Sequence, residues 1–334
     1  MRCDDPQLTC HGEATPVPCR IVPPRETATG FAHARVGLLG NPSDIYGGAG
    51  IGFAVNELAA RVSVSPAPHW STPGEADQLL RAAWQAFTSE LGMPRDAVFP
   101  KCSLTIETTI PLQSGLGGSS AIVIAAMRAW GALGAWSESS LDPMRLARAA
   151  WNAEHTILGT IAGPLDRLVQ AHEGLCLMEF ADPFAEASVA RLSPQCLPPM
   201  LLAWHSTPGT PSGDVHRGVF GRWERGDQQV RRVMASLAQL AREGAGCLRA
   251  GNRSGFLQCI DRNSMLRTDL FDIEPRDRAL IDCARACGAA AKLPGSGGAV
   301  LVVAPDEPTR TAADAALRHL GAHTLQPTIK EPST

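Results

Sequence analysis

Residues 111–130 read "PLQSGLGGSSAIVIAAMRAW". Before them, in "CSLTIETTI" (102–110), Cys102, Leu104, Ile106, Thr108 and Ile110 alternate with Ser103, Thr105, Glu107 and Thr109, the pattern of a half-buried strand. After them the chain is apolar enough for a buried helix. The order is therefore strand, glycine turn, helix. Such a turn aims the backbone N–H groups of Gly115, Leu116, Gly117, Gly118 and Ser119 outward at a helix N-terminus, where the dipole favours negative charge. Glycines let an anion approach the backbone without meeting a Cβ. The hydroxyls of Ser119 and Ser120 can cap the helix, or one can ligate Mg2+. No Gly-Lys-Ser/Thr follows, so this is not a Walker loop, and Ser120 stands where a dinucleotide fingerprint has its third glycine. Two readings remain at this point: a tight turn with a serine cap, or a phosphate cradle.

Two other glycine stretches flank it at a distance. "RVGLLGNPSDIYGGAG" (35–50) leaves a buried strand through Asn41-Pro42-Ser43-Asp44, with the only tyrosine, Tyr46, beside it. "KLPGSGGAVLVV" (292–303) turns through Gly295, Gly297 and Gly298 into an apolar strand.

The 334 residues carry a net charge of −3, which predicts no sequence-independent nucleic-acid binding. No apolar run reaches the ~18–20 residues of a membrane span, and "MRCDDPQLTC" lacks the order of a signal peptide. The ten cysteines have no zinc-like spacing, so they are read as reduced thiols of a cytoplasmic protein. Lysines occur only at 101, 292 and 330, so a cation needed in a site is expected to be Arg.

Residues 1–30 are rich in proline and polar residues and are expected to form a flexible extension. Regular patterning begins near His33. Thr72-Pro73 is expected to start a helix closed by Gly92, and a second helix is expected from about Asp142 to His155. Patterning loosens around residue 195, which divides the chain into halves of 31–195 and 196–334. The second half is expected to hold strands at "MLLAW", "AAKL" and "AVLVVA", helices over 276–287 and 309–320, and an edge strand in "HTLQPTI". Val230, Val233, Met234, Leu237, Leu240 and Ala241 form the stripe of another helix. Strands interleaved with helices, without a strict βαβ repeat, predict an α+β protein.

The run Pro-x-x-x-Gly-Leu-Gly-Gly-Ser-Ser-Ala resembles the phosphate loop of the GHMP small-molecule kinases, and the stretches at 34–44 and 292–303 resemble that superfamily's first and third motifs, in order. Within it, "ARVGLLGNPSDIY", "GLGGSSAIV", "LDRLVQAHEGLCLMEF", "SGDVH" and "GAAAKLPGSGGAV" resemble the plant-type glucuronokinases. Departures from that pattern are Gly117-Gly118 in place of Ser-Gly, Asp214 in place of Lys, and "DRNSMLR" (261–267).

The resemblance implies the two-domain GHMP kinase fold, a ribosomal S5 domain 2-like half followed by a ferredoxin-like half. It implies ATP and Mg2+ as cofactors and a sugar as substrate. D-glucuronate phosphorylated at its anomeric hydroxyl is the principal expectation. A heptose, galactose or fucose kinase, or a catalytically silent sugar- or nucleotide-binding relative, remains as an alternative. By the same resemblance Gly115 to Ser120 with Gly295, Gly297 and Gly298 hold the ATP phosphates, and Ser120 and Glu154 hold Mg2+. Asp166, twelve residues after Glu154, is the catalytic carboxylate, and Arg35 is its cationic partner. Without the resemblance Asp166 reads as a surface partner of Arg167. Asn41, Ser43, Asp44 and His216 are expected to meet the sugar, and Tyr46 lines the pocket or the core. Arg217, Arg262 and Arg267 are equal candidates for a uronate carboxylate. His155 is expected to be structural, and Trp84, Trp130 and Trp151 to lie in the core.

Overall fold

A computed structural model describes residues 27–93, 101–134, 142–180, 187–209 and 212–332, without the side chains of 212–214. The first 26 residues of the expected extension lie outside this set.

The first sheet is antiparallel and is organised by one long strand. Strands β1 (Ala28–Leu39), β2 (Ala49–Pro66), β4 (Leu175–Glu179) and β5 (Ser188–Arg191) lie in that order, and β3 (Cys102–Thr108) pairs with the far part of β2. Strand β1 begins at Ala28, earlier than the sequence pattern suggested. Its first residues, Ala28, Gly30, Ala32 and Ala34, are small because a helix lies flush on them. That helix is α2 (Gly118–Leu133), and a Cβ on Gly30 would overlap the Ala125 carbonyl oxygen.

Helices α1 (Asp77–Glu90), α3 (Pro143–Trp151) and α4 (Leu165–His172) pack around α2. Thr72 does not cap α1. A 3-10 turn, Gly74–Ala76, comes first, and the Thr72 hydroxyl and the Trp70 indole both donate to the Asp77 carboxylate, at 2.8 and 2.9 Å. Asp142 does cap α3, accepting from the amides of Met144 and Arg145. A π-turn, Asn152–Ile157, follows α3 and carries Glu154. Trp84 and Trp130 are buried in the core, whereas Trp151 is half-buried, stacks on His155 at 4.3 Å and donates to Ala162.

The second sheet joins β6 (Met200–Trp204), β7 (Ala290–Lys292), β8 (Ala299–Val303) and β9 (His323–Leu325) in the antiparallel order β7-β8-β6-β9. Numbered within this half, that is four-one-three-two read from the β9 edge, the split βαβ order of a ferredoxin-like sheet. Strand β8 is buried on both faces, which explains its unbroken apolar run. Val300 and Val302 face α8 (Pro275–Ala286) and α9 (Glu307–His319), while Leu301 and Val303 face the core shared with the first sheet.

Helix α5 (Ser212–Glu224) leads into α6 (Gln228–Arg249), which Asp227 caps, and α7 (Arg253–Thr268) follows. Helices α6 and α7 lie between the two sheets, with Leu240, Ala241, Phe256 and Ile260 in the shared core. The expected division near residue 195 falls between β5 and β6. The chain then crosses back after β9, where Ile329 bridges to Val55 and the amide of Gly174 donates to Lys330. Among the described residues no helix is long and apolar enough to cross a membrane, and seven cysteines are free thiols.

Candidate active site

Strand β1 is an edge, and an edge presents unpaired N–H and C=O groups. Two glycine turns close it. The Arg35 amide donates to Leu116 O at 3.0 Å, and the Gly37 amide donates to Pro294 O at 3.0 Å. The three sequence motifs, far apart along the chain, thus meet on one strand edge.

The turn before α2 is shaped by glycine. Gly115 and Gly117 have φ of 65° and 75°, in the left-handed region that favours glycine. Its carbonyls point inward: Gly115 O accepts from Arg35, Leu116 O from the strand, and Gly117 O from the Gln170 amide at 2.7 Å. The amides of Gly115 to Ser119 have no acceptor among the described residues. Gly118 begins α2, and a Cβ there would meet only the Ile110 side chain, at 3.7 Å. The turn at 293–298 packs directly on this loop. A Cβ on Gly295 would overlap Gly115 O, and one on Gly115 would come within 2.7 Å of Gly297 O. Gly298 is fixed by its amide, which donates to the buried Asp277 carboxylate at 2.8 Å. The two turns thus pack backbone to backbone beside the unpaired amides of Gly115 to Ser119, the donors a phosphate cradle requires.

Arg35 is buried and is the hub of the site. Its guanidinium forks onto both oxygens of Asp166, with Nη2 to Oδ2 at 2.6 Å, and also reaches the Gly115 and Pro294 carbonyls. Asp166 stands in the first turn of α4, so Arg35 and not its neighbour Arg167 is its close partner. Burial opposes the charged form of Asp166. The charge and hydrogen bonds of Arg35, helped by Arg167, outweigh it and leave the carboxyl below its ordinary pKa.

Arg167 is committed elsewhere. It is buried against Glu154 and donates to Glu154 Oε2 through Nε and Nη2. The other oxygen, Oε1, accepts from the Ser119 hydroxyl at 2.7 Å. The serine that meets Glu154 is therefore Ser119. The Ser120 hydroxyl, expected beside Glu154, turns back and donates to Gly117 O at 3.1 Å, and no side chain caps α2. Adjacent residues on a helix differ by about 100° in direction, so only one faces the π-turn.

The floor below β1 differs in part from expectation. Ser43 donates to Ala49 O at 2.8 Å and accepts from the Ala49 amide at 3.2 Å, so its hydroxyl closes the turn and does not face a ligand. Asn41 accepts from the fully buried Lys292 ammonium at 2.7 Å and donates to Pro294 O at 3.4 Å. Its amide ties the first motif to the third. Lys292 also donates to Gly37 O at 2.8 Å. Burial, with Arg267 and Arg35 nearby, holds the lysine well below its usual pKa.

Asp44 lies within electrostatic reach of Asp166 and Arg35. It is buried and accepts from the Leu165 amide at 3.2 Å, at the start of α4. Burial, with the Asp166 charge second, pushes its pKa up to about 6. The unfolded Asp44 releases its proton near 3.8 and the folded one near 6, so stability falls as pH rises through that window. The loss is on the order of 3 kcal/mol from the size of the shift. Asp44→Asn keeps an acceptor for Leu165 and removes the titration. Urea unfolding should show the variant gaining on the wild type between pH 4 and 7; a pH-independent difference would refute the assignment.

His216 is buried on α5, edge-on to Phe271 at 5.5 Å, and burial with Arg267 nearby lowers its pKa to about 4. Tyr46 packs on Trp223 at 4.7 Å and Phe220 at 6.3 Å. Three buried polar atoms in this region lack a partner among the described residues: Tyr46 Oη, His216 Nδ1 and Asn263 Nδ2. Asn263 Oδ1 accepts from the Gly40 amide at 2.8 Å. One turn further along α7, Arg267 is also buried, within electrostatic reach of Asp44 and Arg35. Within "DRNSMLR" (261–267) the sequence reading singled out Arg262 and Arg267 but not Asn263. A cleft of about 810 Å3 opens beside Phe271, lined by Val215, Val219, Leu293, Ser296 and Gly297.

The family profile for the GHMP kinases N terminal domain matches residues 78–174, and that for GHMP kinases C terminal matches 245–323. Probable glucuronokinase 2 of Arabidopsis thaliana is 33% identical over 314 residues, covering 83% of this chain and 84% of its own. Glucuronokinase 1 of the same plant is 29% identical over 334 residues, covering 90% and 91%. The fold is shared with Lactococcus lactis galactokinase solved with galactose, at a TM-score of 0.73 and 13% identity over 93% of this chain and 95% of that one. With its cradle, its Arg35–Asp166 pair and these matches along most of its length, the chain belongs to the GHMP kinase family.

Proposed function

We propose that the protein transfers the γ-phosphoryl group of ATP to the anomeric hydroxyl of D-glucuronate, giving glucuronate 1-phosphate and ADP. The observation that carries the reading is the convergence of all three motifs on Arg35, which holds Asp166 beside the amide-lined cradle. Likeness to the two plant glucuronokinases supports the sugar.

Phosphoryl transfer through a loose transition state asks for positioning and charge neutralisation more than for a strong base. Asp166 suits that demand. Held ionised by Arg35, it accepts a hydrogen bond from the acceptor hydroxyl and aims its oxygen at the γ-phosphorus. As the new O–P bond forms and the bond to ADP breaks, the hydroxyl becomes acidic and its proton passes to Asp166. Arg35 keeps Asp166 ionised until then and offsets negative charge at the transferring group. The free amides of Gly115 to Ser119 bind the phosphates.

The donor set at the head of α2 fits Mg2+. Ser119 and Glu154 offer hard oxygens beside the cradle, and this ion takes its other ligands from phosphates and water. When bound, Mg2+ would neutralise charge on the β- and γ-phosphate oxygens. Arg167 then keeps Glu154 oriented, a cation already built into the fold.

The test is ADP release with ATP and Mg2+ against glucuronate, galacturonate, galactose, glucose, fucose and a mannoheptose. Turnover confined to glucuronate is expected. Preferred turnover of a neutral sugar would retain the kinase and discard the uronate. ATP binding with silence on every sugar would favour another acceptor.

A further inference from the structure

Four buried cations surround the floor of the site, and three have their partners. Arg35 forks onto Asp166, Arg167 holds Glu154, and Lys292 donates to the Gly37 and Asn41 oxygens. The fourth, Arg267, is 3% exposed, yet among the described residues its guanidinium makes no hydrogen bond and no ion pair. Its guanidinium carbon lies over the Phe271 ring, 5.5 Å from the ring centroid. Burial, with Arg35 nearby, pulls its pKa down to about 10, and Asp44 offsets this only in part. A buried charge without a partner is costly, so a fold that keeps one has left a place for an anion.

Its surroundings say which anion. The charged and titratable groups within electrostatic reach are Asp44 and Arg35 of the first motif, Lys292 of the third and His216 of α5. The unpartnered Tyr46 Oη, His216 Nδ1 and Asn263 Nδ2 belong to the same region, and Asn263 lies one helical turn from Arg267. A polyhydroxylated ligand with one anionic group satisfies such a set. The other two candidate arginines are not buried. Arg262 is 61% exposed and paired with Glu243, and Arg217 is exposed.

We propose that Arg267 reads the carboxylate of a uronic acid acceptor, donating two N–H bonds to its oxygens and making the charge on the sugar a condition of selection. This rests on the uronate kinase reading above. Planar bidentate recognition is what a guanidinium does and an ammonium does not.

D-glucuronamide keeps the hydroxyls of D-glucuronate and removes only its charge, so the ratio of kcat/KM for the two sugars isolates the carboxylate. For the wild type that ratio should be about 10–100 in favour of glucuronate, the range for hydrogen bonds between charged groups. Arg267→Gln should bring it close to one, through the sugar KM, and Arg267→Lys should restore part of it. Because an unpaired buried charge is removed, Arg267→Gln should raise the melting temperature of the free protein, and glucuronate should raise the melting temperature of the wild type more than that of the variant. A wild type that discriminates and a variant that discriminates equally would overturn the assignment of Arg267 while leaving the uronate reading intact. Equal loss on both sugars with a lowered melting temperature would mark Arg267 as structural and overturn it too. A change in the KM for ATP alone would assign the guanidinium to phosphate. A wild type indifferent to the amide would remove the uronate reading, and this proposal with it.

Discussion

Asp166→Asn lowers kcat by about 10²–10⁴-fold, the usual contribution of a positioned acid or base, while the Kd for ATP stays within a few-fold of wild type. The carboxylate is held through both oxygens by Arg35, and the amides of Gly115 to Ser119 that would bind phosphate do not donate to it. Asn keeps the shape and one acceptor. It cannot take the proton, and it cannot pair with the Arg35 charge. Loss in kcat without loss of ATP binding separates a role in the reaction from a role in folding or nucleotide binding. Arg35→Lys is the companion variant. It keeps a positive charge and loses the fork, so it should also lower kcat. Near-wild-type turnover in Asp166→Asn would mean that another group orients the acceptor.

Gly295→Ala is expected to have the second large effect, though Gly295 donates no side chain. Its Cβ would overlap the Gly115 carbonyl oxygen and lie 2.9 Å from Arg35 Nη1. The backbone of one turn must then move away from the other, and the Arg35 guanidinium with it. Overpacking of this kind costs about 1–3 kcal/mol of stability. A displacement near 1 Å at such a site costs about 10²-fold in rate, so kcat/KM for ATP should fall by roughly that factor. Gly246→Ala, in α6 with nothing within 4 Å of its Cβ, is the control and should stabilise by up to about 1 kcal/mol. Equal behaviour of the two variants would show that the turns do not depend on close backbone contact.

Much of this architecture was legible in the residues. Alternation in 102–108, the glycine turn and the apolar helix after it gave β3, the cradle and α2 because each is a local pattern with a local cause. Ordered motifs gave the family and, through it, Arg35 and Asp166. What sequence reading missed depends on contacts between distant segments. Small residues at the head of β1 look featureless until α2 is seen lying on them. Ser119 and Ser120 are equivalent on paper, and only the position of the π-turn decides which one faces Glu154. Asn41 and Ser43 have the chemistry of sugar ligands, but Lys292 and the Ala49 backbone take their polar atoms. Arg267 was one of three equal candidates until burial and the partners of Arg262 set it apart. A lysine inside the apolar run before "PGSGG" was a usable signal, since an ammonium buried in a strand must have acceptors waiting for it.

Phosphorus NMR of the products formed from ATP, Mg2+ and D-glucuronate tests the central claim most directly. The expected spectrum shows loss of the γ-phosphate signal, appearance of ADP, and one new phosphomonoester signal coupled to the anomeric proton of the sugar. Release of inorganic phosphate alone, or a phosphomonoester on another carbon, would contradict it.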